Sequence, residues 1–104
     1  MQDRITVSVD EGLSDLIPGF LTHKRADVGA ILDAIAKQDY PQVGRIAHRI
    51  KGEGGSYGFD MMTELGRSLE TAVSARDGAA ATKLARKLLD YLDHVDVVFQ
   101  ASED

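Results

Sequence analysis

Cysteine is absent from this chain, which excludes a disulfide framework and a thiolate metal site. Its absence fits a reducing cytoplasm. Tryptophan is also absent, and the two prolines, Pro18 and Pro41, punctuate the chain without filling any segment. No apolar run approaches the roughly 20 residues that a membrane-spanning helix needs. The opening Met1-Gln2-Asp3-Arg4-Ile5 lacks the basic and then apolar signature of a secretory signal. Positive charge is in short supply: 12 lysines and arginines face 17 aspartates and glutamates, a formal net charge of −5. Phosphate contacts dominate nucleic-acid affinity, so an acidic chain without a basic stripe is a poor nucleic-acid binder. It is equally poorly matched to an anionic membrane surface. The expectation is a cytoplasmic protein with neither partner.

What remains is a chain of 104 residues, 43% hydrophobic, enough for one compact core and one domain over residues 1–104. Residues 1–10 alternate weakly at Ile5, Val7 and Val9 and predict one extended arm. From Leu13 the apolar rhythm becomes helical, through Leu16, Ile17, Phe20, Leu21, Val28, Ile31, Leu32 and Ile35. Pro18 divides it into a short helix near 11–16 and a long one from 18 to 38, with the proline in the first turn of the second. Pro41 starts the next helix, whose inward stripe is Val43, Ile46, Ala47, Ile50 and Tyr57, and Gly58 ends it in a left-handed conformation. Asp60 is read as the cap of a helix carrying Met61, Met62, Leu65, Leu69, Ala72 and Val73. After the turn Arg76-Asp77-Gly78, a last helix runs to residue 101 on a near-heptad seam of Ala81, Leu84, Ala85, Leu88, Leu92, Val95 and Phe99. The tail, residues 102–104, is expected to fray. The all-α expectation is an antiparallel up-down four-helix bundle with a short extra N-terminal helix, the bundle spanning residues 11–101. The Met1 start and polar end favour a freestanding chain, and one bundle that uses up its own seams favours a monomer.

The segment His48-Arg49-Ile50-Lys51-Gly52-Glu53, continuing as Gly54-Gly55-Ser56-Tyr57-Gly58, places glycines where the rhythm demands helix. Glycine costs about 1 kcal/mol relative to alanine in a helix. What it provides is bare surface. With 100° per residue, Arg45, Gly52 and Gly55 share the face of His48, while Ala47 and Ile50 point inward. Arg45, Arg49 and Lys51 make the surroundings locally basic. An exposed imidazole, a nearby ammonium and small neighbours suit a phosphoryl group carried by an acidic partner: the neutral nitrogen is the nucleophile, and the ammonium pairs with phosphoryl oxygens.

Ala47-His48-Arg49-Ile50-Lys51-Gly52, then Gly55, Tyr57-Gly58 and, on the next helix, Leu69-Glu70, resemble the histidine-containing phosphotransfer (HPt) domain over residues 13–100. The resemblance implies that His48 is the phosphoacceptor, that Lys51 supports the phosphoryl group, and that Gly52 and Gly55 keep a docking surface open, with Arg45 and Arg49 beside it. It implies a phosphorelay carrier that takes the group from one receiver-domain aspartate and passes it to another, without kinase activity. The partners are then a response-regulator receiver domain or a hybrid histidine kinase. The carrier needs no cofactor of its own, the Mg²⁺ sitting in the receiver's acidic pocket. The first helices of this family often border the receiver, which brings Thr22, His23 and Lys24 in as docking candidates. Glu53 and Gly54 stand where small polar residues or alanine are common in that family, and Tyr57 replaces an aliphatic residue. Glu53 would add negative charge near the site.

The competing class is an interaction module that docks a receiver or kinase without being phosphorylated. His48 and Lys51 argue against it. A metal enzyme would need more ligands than the pairs His23/Asp27 and Asp90/His94 supply, because zinc takes three or four. Gly52-Glu53-Gly54-Gly55-Ser56 lacks the Lys-Ser/Thr ending and the preceding strand of a phosphate-binding loop.

Overall fold

The computed structural model describes residues 4–101, so the frayed tail predicted at 102–104 lies outside the described residues. The order of elements is β1 (Ile5–Asp10), a 3-10 turn (Glu11–Leu13), α1 (Ile17–Ala36), α2 (Tyr40–Tyr57), α3 (Asp60–Ser74), α4 (Gly78–His94) and β2 (Val95–Gln100). The four helices form a bundle in which α1 packs on α2, α2 on α3 and α3 on α4, and α4 returns to α1.

Local chemistry sets the boundaries. Pro18 lies in the first turn of α1, where its missing N–H is no loss. Asp39 caps α2 by accepting from the Gln42 N–H at 3.3 Å, and Asp77 caps α4 by accepting from the Ala80 N–H at 3.0 Å. Gly58, at φ 88°, closes α2, and its N–H reaches back to the carbonyls of Gly54 and Gly55. Asp60 is not the cap of α3. Phe59 holds that position without a side-chain bond, and Asp60 is the first helical residue, its charge at the positive end of the helix dipole.

Two further expectations are corrected. The short helix at 11–16 is a 3-10 turn of Glu11–Leu13, held by Asp10, whose carboxylate accepts from the Gly12 N–H at 2.7 Å. The last helix stops at His94, and Val95–Gln100 is a strand paired in parallel with the predicted arm, from Ile5↔Val95 to Asp10↔Gln100. The run Val95-Asp96-Val97-Val98-Phe99 is β-branched and aromatic, and the arm offers it a partner of the same kind. Arg4 fastens the pair by donating to Asp96 from Nε at 3.0 Å. Val95 is buried as the seam predicted, but Phe99 is 42% exposed.

Val28, Ile31, Val43, Ala47, Ile50, Met62, Leu69, Ala81, Ala85 and Leu88 are fully buried. Met61, expected in the core, is 47% exposed. Phe20 packs between Tyr57 and Phe59, with ring centroids at 4.4 and 5.6 Å, which gives half-buried Tyr57 its core contact. No helix among the described residues is long and apolar enough to cross a membrane.

Candidate functional site

Val43, Ile46, Ala47, Ile50 and Gly54 are the buried residues of α2, so the helical period turns His48, Arg49 and Gly52 outward. The His48 side chain is 72% exposed. A Cβ on Gly52 would meet nothing within 4 Å, so the surface beside the imidazole is bare as expected. Gly55 is exposed too, and a Cβ there would make ordinary contact, at 3.5 Å, with Thr63 Oγ1 of α3.

The other side of the site is built by glycines of a different kind. A Cβ on Gly66 of α3 would stand 3.0 Å from the Ala47 carbonyl oxygen and the Lys51 nitrogen. One on Gly54 would stand 3.0 Å from Met62 Cβ and 3.1 Å from the Phe59 carbonyl oxygen. Here the absent side chains let α3 approach α2 backbone to backbone. Gly54, a departure from the family pattern in sequence, is thus a packing glycine.

One turn beyond Gly66, this approach brings Glu70 to the face that carries His48. Its Oε2 lies 3.2 Å from His48 Nδ1 and its Oε1 2.7 Å from Lys51 Nζ. Lys51 is the main cause that holds the Glu70 carboxyl below the usual carboxylate range; burial opposes it, and His48 adds to the lowering. An ionised carboxylate can only accept, so the neutral imidazole donates from Nδ1 and carries its lone pair on Nε2. His48 and Lys51 are therefore brought together, through a carboxylate that the sequence pattern included but to which it gave no role.

Of the arginines, Arg45 lies along its own helix and donates from Nε and Nη2 to Gln42 Oε1, at 3.0 and 2.6 Å. Arg49 turns towards α1, donating from Nη2 to Asp27 Oδ1 at 2.9 Å, with Nε 3.7 Å from Glu53 Oε1. Glu53 is not a free negative charge beside His48, because Lys24 Nζ of α1 donates to its Oε1 at 2.6 Å. Lys24, a candidate for exposed docking, is fully buried, whereas Thr22 and His23 are exposed. His23 Nδ1 is 4.0 Å from Asp27 Oδ2, and His94 Nδ1 donates to the Asp90 carbonyl at 2.8 Å. Among the described residues no group of three or more His, Cys, Asp or Glu could hold a metal ion.

The family model of the Hpt domain matches residues 15–97, and the chain belongs to that family. Hpt domains are phosphotransfer carriers of two-component signalling that interact with receiver domains and histidine kinases. Comparison with curated proteins and with solved structures finds no match.

Proposed function

We propose that this chain is a single Hpt domain that works as a phosphorelay intermediate, accepting a phosphoryl group on Nε2 of His48 from a receiver aspartate and passing it to a second receiver. The observation that carries this reading is the exposed imidazole whose Nδ1 is tied to Glu70. In the forward step the Nε2 lone pair forms the N–P bond. The P–O bond to the aspartyl carboxylate breaks, and that carboxylate leaves with the electron pair. The proton stays on Nδ1, where Glu70 faces the positive charge that develops on the ring. Lys51 then exchanges a Glu70 oxygen for a phosphoryl oxygen. Magnesium and the acidic pocket belong to the receiver, and the carrier brings no cofactor of its own.

An up-down antiparallel order of the bundle is supported by the pairs that cross its first two seams, α1–α2 and α2–α3. Asp27 meets Arg49 and Lys24 meets Glu53, while Lys51 meets Gly66 and Gly44 meets Val73, so numbers fall on one helix as they rise on the next. His48 is thereby flanked by α1 and α3. Gly52 and Gly55 leave room for a receiver, and Arg45 and Arg49 lie beside that opening.

The test is phosphotransfer profiling against every receiver domain of the source organism, with His48→Gln as control. Rapid labelling of the wild type by at least one receiver, and none of the variant, is expected. A wild type that binds receivers but takes no label from any of them would make the chain a docking module instead.

A further inference from the structure

Lys24 and Asp27 are the buried charged residues among those described, and both belong to α1, not to the helix that carries His48. An ammonium stripped of water is costly unless it is paired. Lys24 has two partners, Asp27 Oδ2 and Glu53 Oε1, each at 2.6 Å. Two carboxylates around one ammonium leave one negative charge over. Arg49 balances it through Asp27 Oδ1 at 2.9 Å, with a weaker approach to Glu53 at 3.7 Å. The cluster is neutral as a whole, yet its members differ in exposure: Lys24 is at 0%, while the Arg49 side chain remains 51% exposed, one residue from His48.

Without Lys24, Arg49 would be the one lysine or arginine left against two carboxylates, with the exposed His23 no nearer than 4.0 Å to Asp27, and would be drawn inward over both. With Lys24 beneath them, a single short bond orients the guanidinium and most of it stays at the rim. We propose that Lys24 is a positioning residue: it neutralises Asp27 and Glu53 from inside the bundle and so holds Arg49 beside His48 as the cation that reads an acidic partner surface. This rests on the phosphorelay reading, in which the partner presents a carboxylate-lined pocket. It also divides the site. The α3 side, with Glu70 and Lys51, serves the chemistry on His48. The α1 side, with Lys24, Asp27, Glu53 and Arg49, sets recognition.

The test uses the receiver that labels wild type fastest, with transfer rates measured against receiver concentration at two salt concentrations. Lys24→Met is expected to raise the half-saturating concentration about fivefold and to flatten its salt dependence, with the maximal rate little changed, as loss of a correctly placed rim cation does. Arg49→Ala should raise it similarly, and the double variant Lys24→Met/Arg49→Ala no further, because the two act through one contact. Lys24→Met/Glu53→Met, which removes one charge of each sign, should return the half-saturating concentration to within about twofold of wild type, since the Arg49–Asp27 pair remains. Unchanged half-saturation in Lys24→Met, or additive effects in the Arg49 double variant, overturns the inference. Should Lys24→Met fail to fold, the charge-balanced variant carries the test: docking of wild-type strength supports the inference, and docking as weak as that of Arg49→Ala overturns it. A wild type that takes no label from any receiver overturns the phosphorelay reading and this role with it. Labelling of wild type with no loss in the variants overturns this role alone.

Discussion

Nδ1 of His48 and Oε2 of Glu70 meet across the α2–α3 seam at 3.2 Å, while the other oxygen of the same carboxylate holds Lys51 at 2.7 Å. One side chain therefore fixes the ring and keeps the ammonium close to it. Glu70→Ala releases both. With phosphoramidate, a small donor that needs no docking surface, labelling of His48 should slow by about tenfold to a hundredfold, the upper end being the scale of a reacting group misplaced by about 1 Å. Equal labelling of wild type and variant would mean that the contact has no part in the reaction.

His48→Gln should keep the helicity of the wild type, because the replaced side chain is exposed, and should take no acid-labile phosphoryl label from any receiver. Circular dichroism and label retention after alkali and acid treatment read the two halves. Label that persists in the variant and remains acid-labile would place the acceptor elsewhere.

Lys51→Ala removes the cation from beside His48 and leaves Glu70 with the imidazole alone. Transfer from a receiver should slow and the phosphohistidine should have a changed lifetime, since a charge-assisted contact to the phosphoryl oxygens is lost. Stability should fall by no more than about 1 kcal/mol, the range of partly exposed ion pairs. If neither the rate nor the lifetime moves, Lys51 serves the fold only.

Much of this arrangement was legible in sequence because it depends on residues with strong local consequences. Pro18, Pro41 and Gly58 mark helix ends by their backbone chemistry, and Ala47 and Ile50 fix which way His48 must face. The strand at Val95–Gln100 was hidden because its valines and Phe99 continue the spacing of the α4 seam, and only pairing with β1 decides between the two conformations. Lys24 was hidden because a charged residue on an amphipathic helix is ordinarily solvated; its burial depends on Glu53, far away in the chain. Glu53 looked like an intrusive charge for the same reason. The packing glycines did leave a signal, since Gly54 and Gly66 interrupt otherwise periodic helices. Sequence alone does not separate such a glycine from Gly52, which faces open space.

The glycines should accordingly respond in opposite directions. Gly52→Ala should stabilise the protein by up to about 1 kcal/mol, the helix-propensity difference in an unobstructed position. Gly66→Ala should destabilise it by about 1–3 kcal/mol, because its Cβ would press on α2 backbone that cannot yield cheaply. Urea unfolding measures both. Gly55→Gln should fold, its Cβ being in ordinary contact with Thr63, but should weaken receiver docking and transfer together. A Gly66→Ala protein as stable as wild type would mean that the helices separate easily, and the close approach would then not be what places Glu70.

The Glu70 contact also predicts how stability depends on pH. Lys51 first, and His48 after it, hold the Glu70 carboxyl below its ordinary range, with burial acting in the opposite direction. A carboxyl with a depressed pKa in the folded state stabilises that state fully above its unfolded pKa, and loses the contribution as pH falls through the folded value. A melting-temperature difference between wild type and Glu70→Gln should therefore be present just above the ordinary glutamate range. The difference should shrink below it and vanish once Glu70 is protonated in both states. Asp96, lowered by its bond to Arg4, titrates in both proteins and cancels in the comparison. In a Lys51→Ala background the gap between glutamate and glutamine should be smaller and should close at higher pH, because the main cause of the lowering is gone. A gap that stays unchanged, or widens, as pH falls through and below the ordinary glutamate range would show that Glu70 is not held ionised by Lys51 and His48.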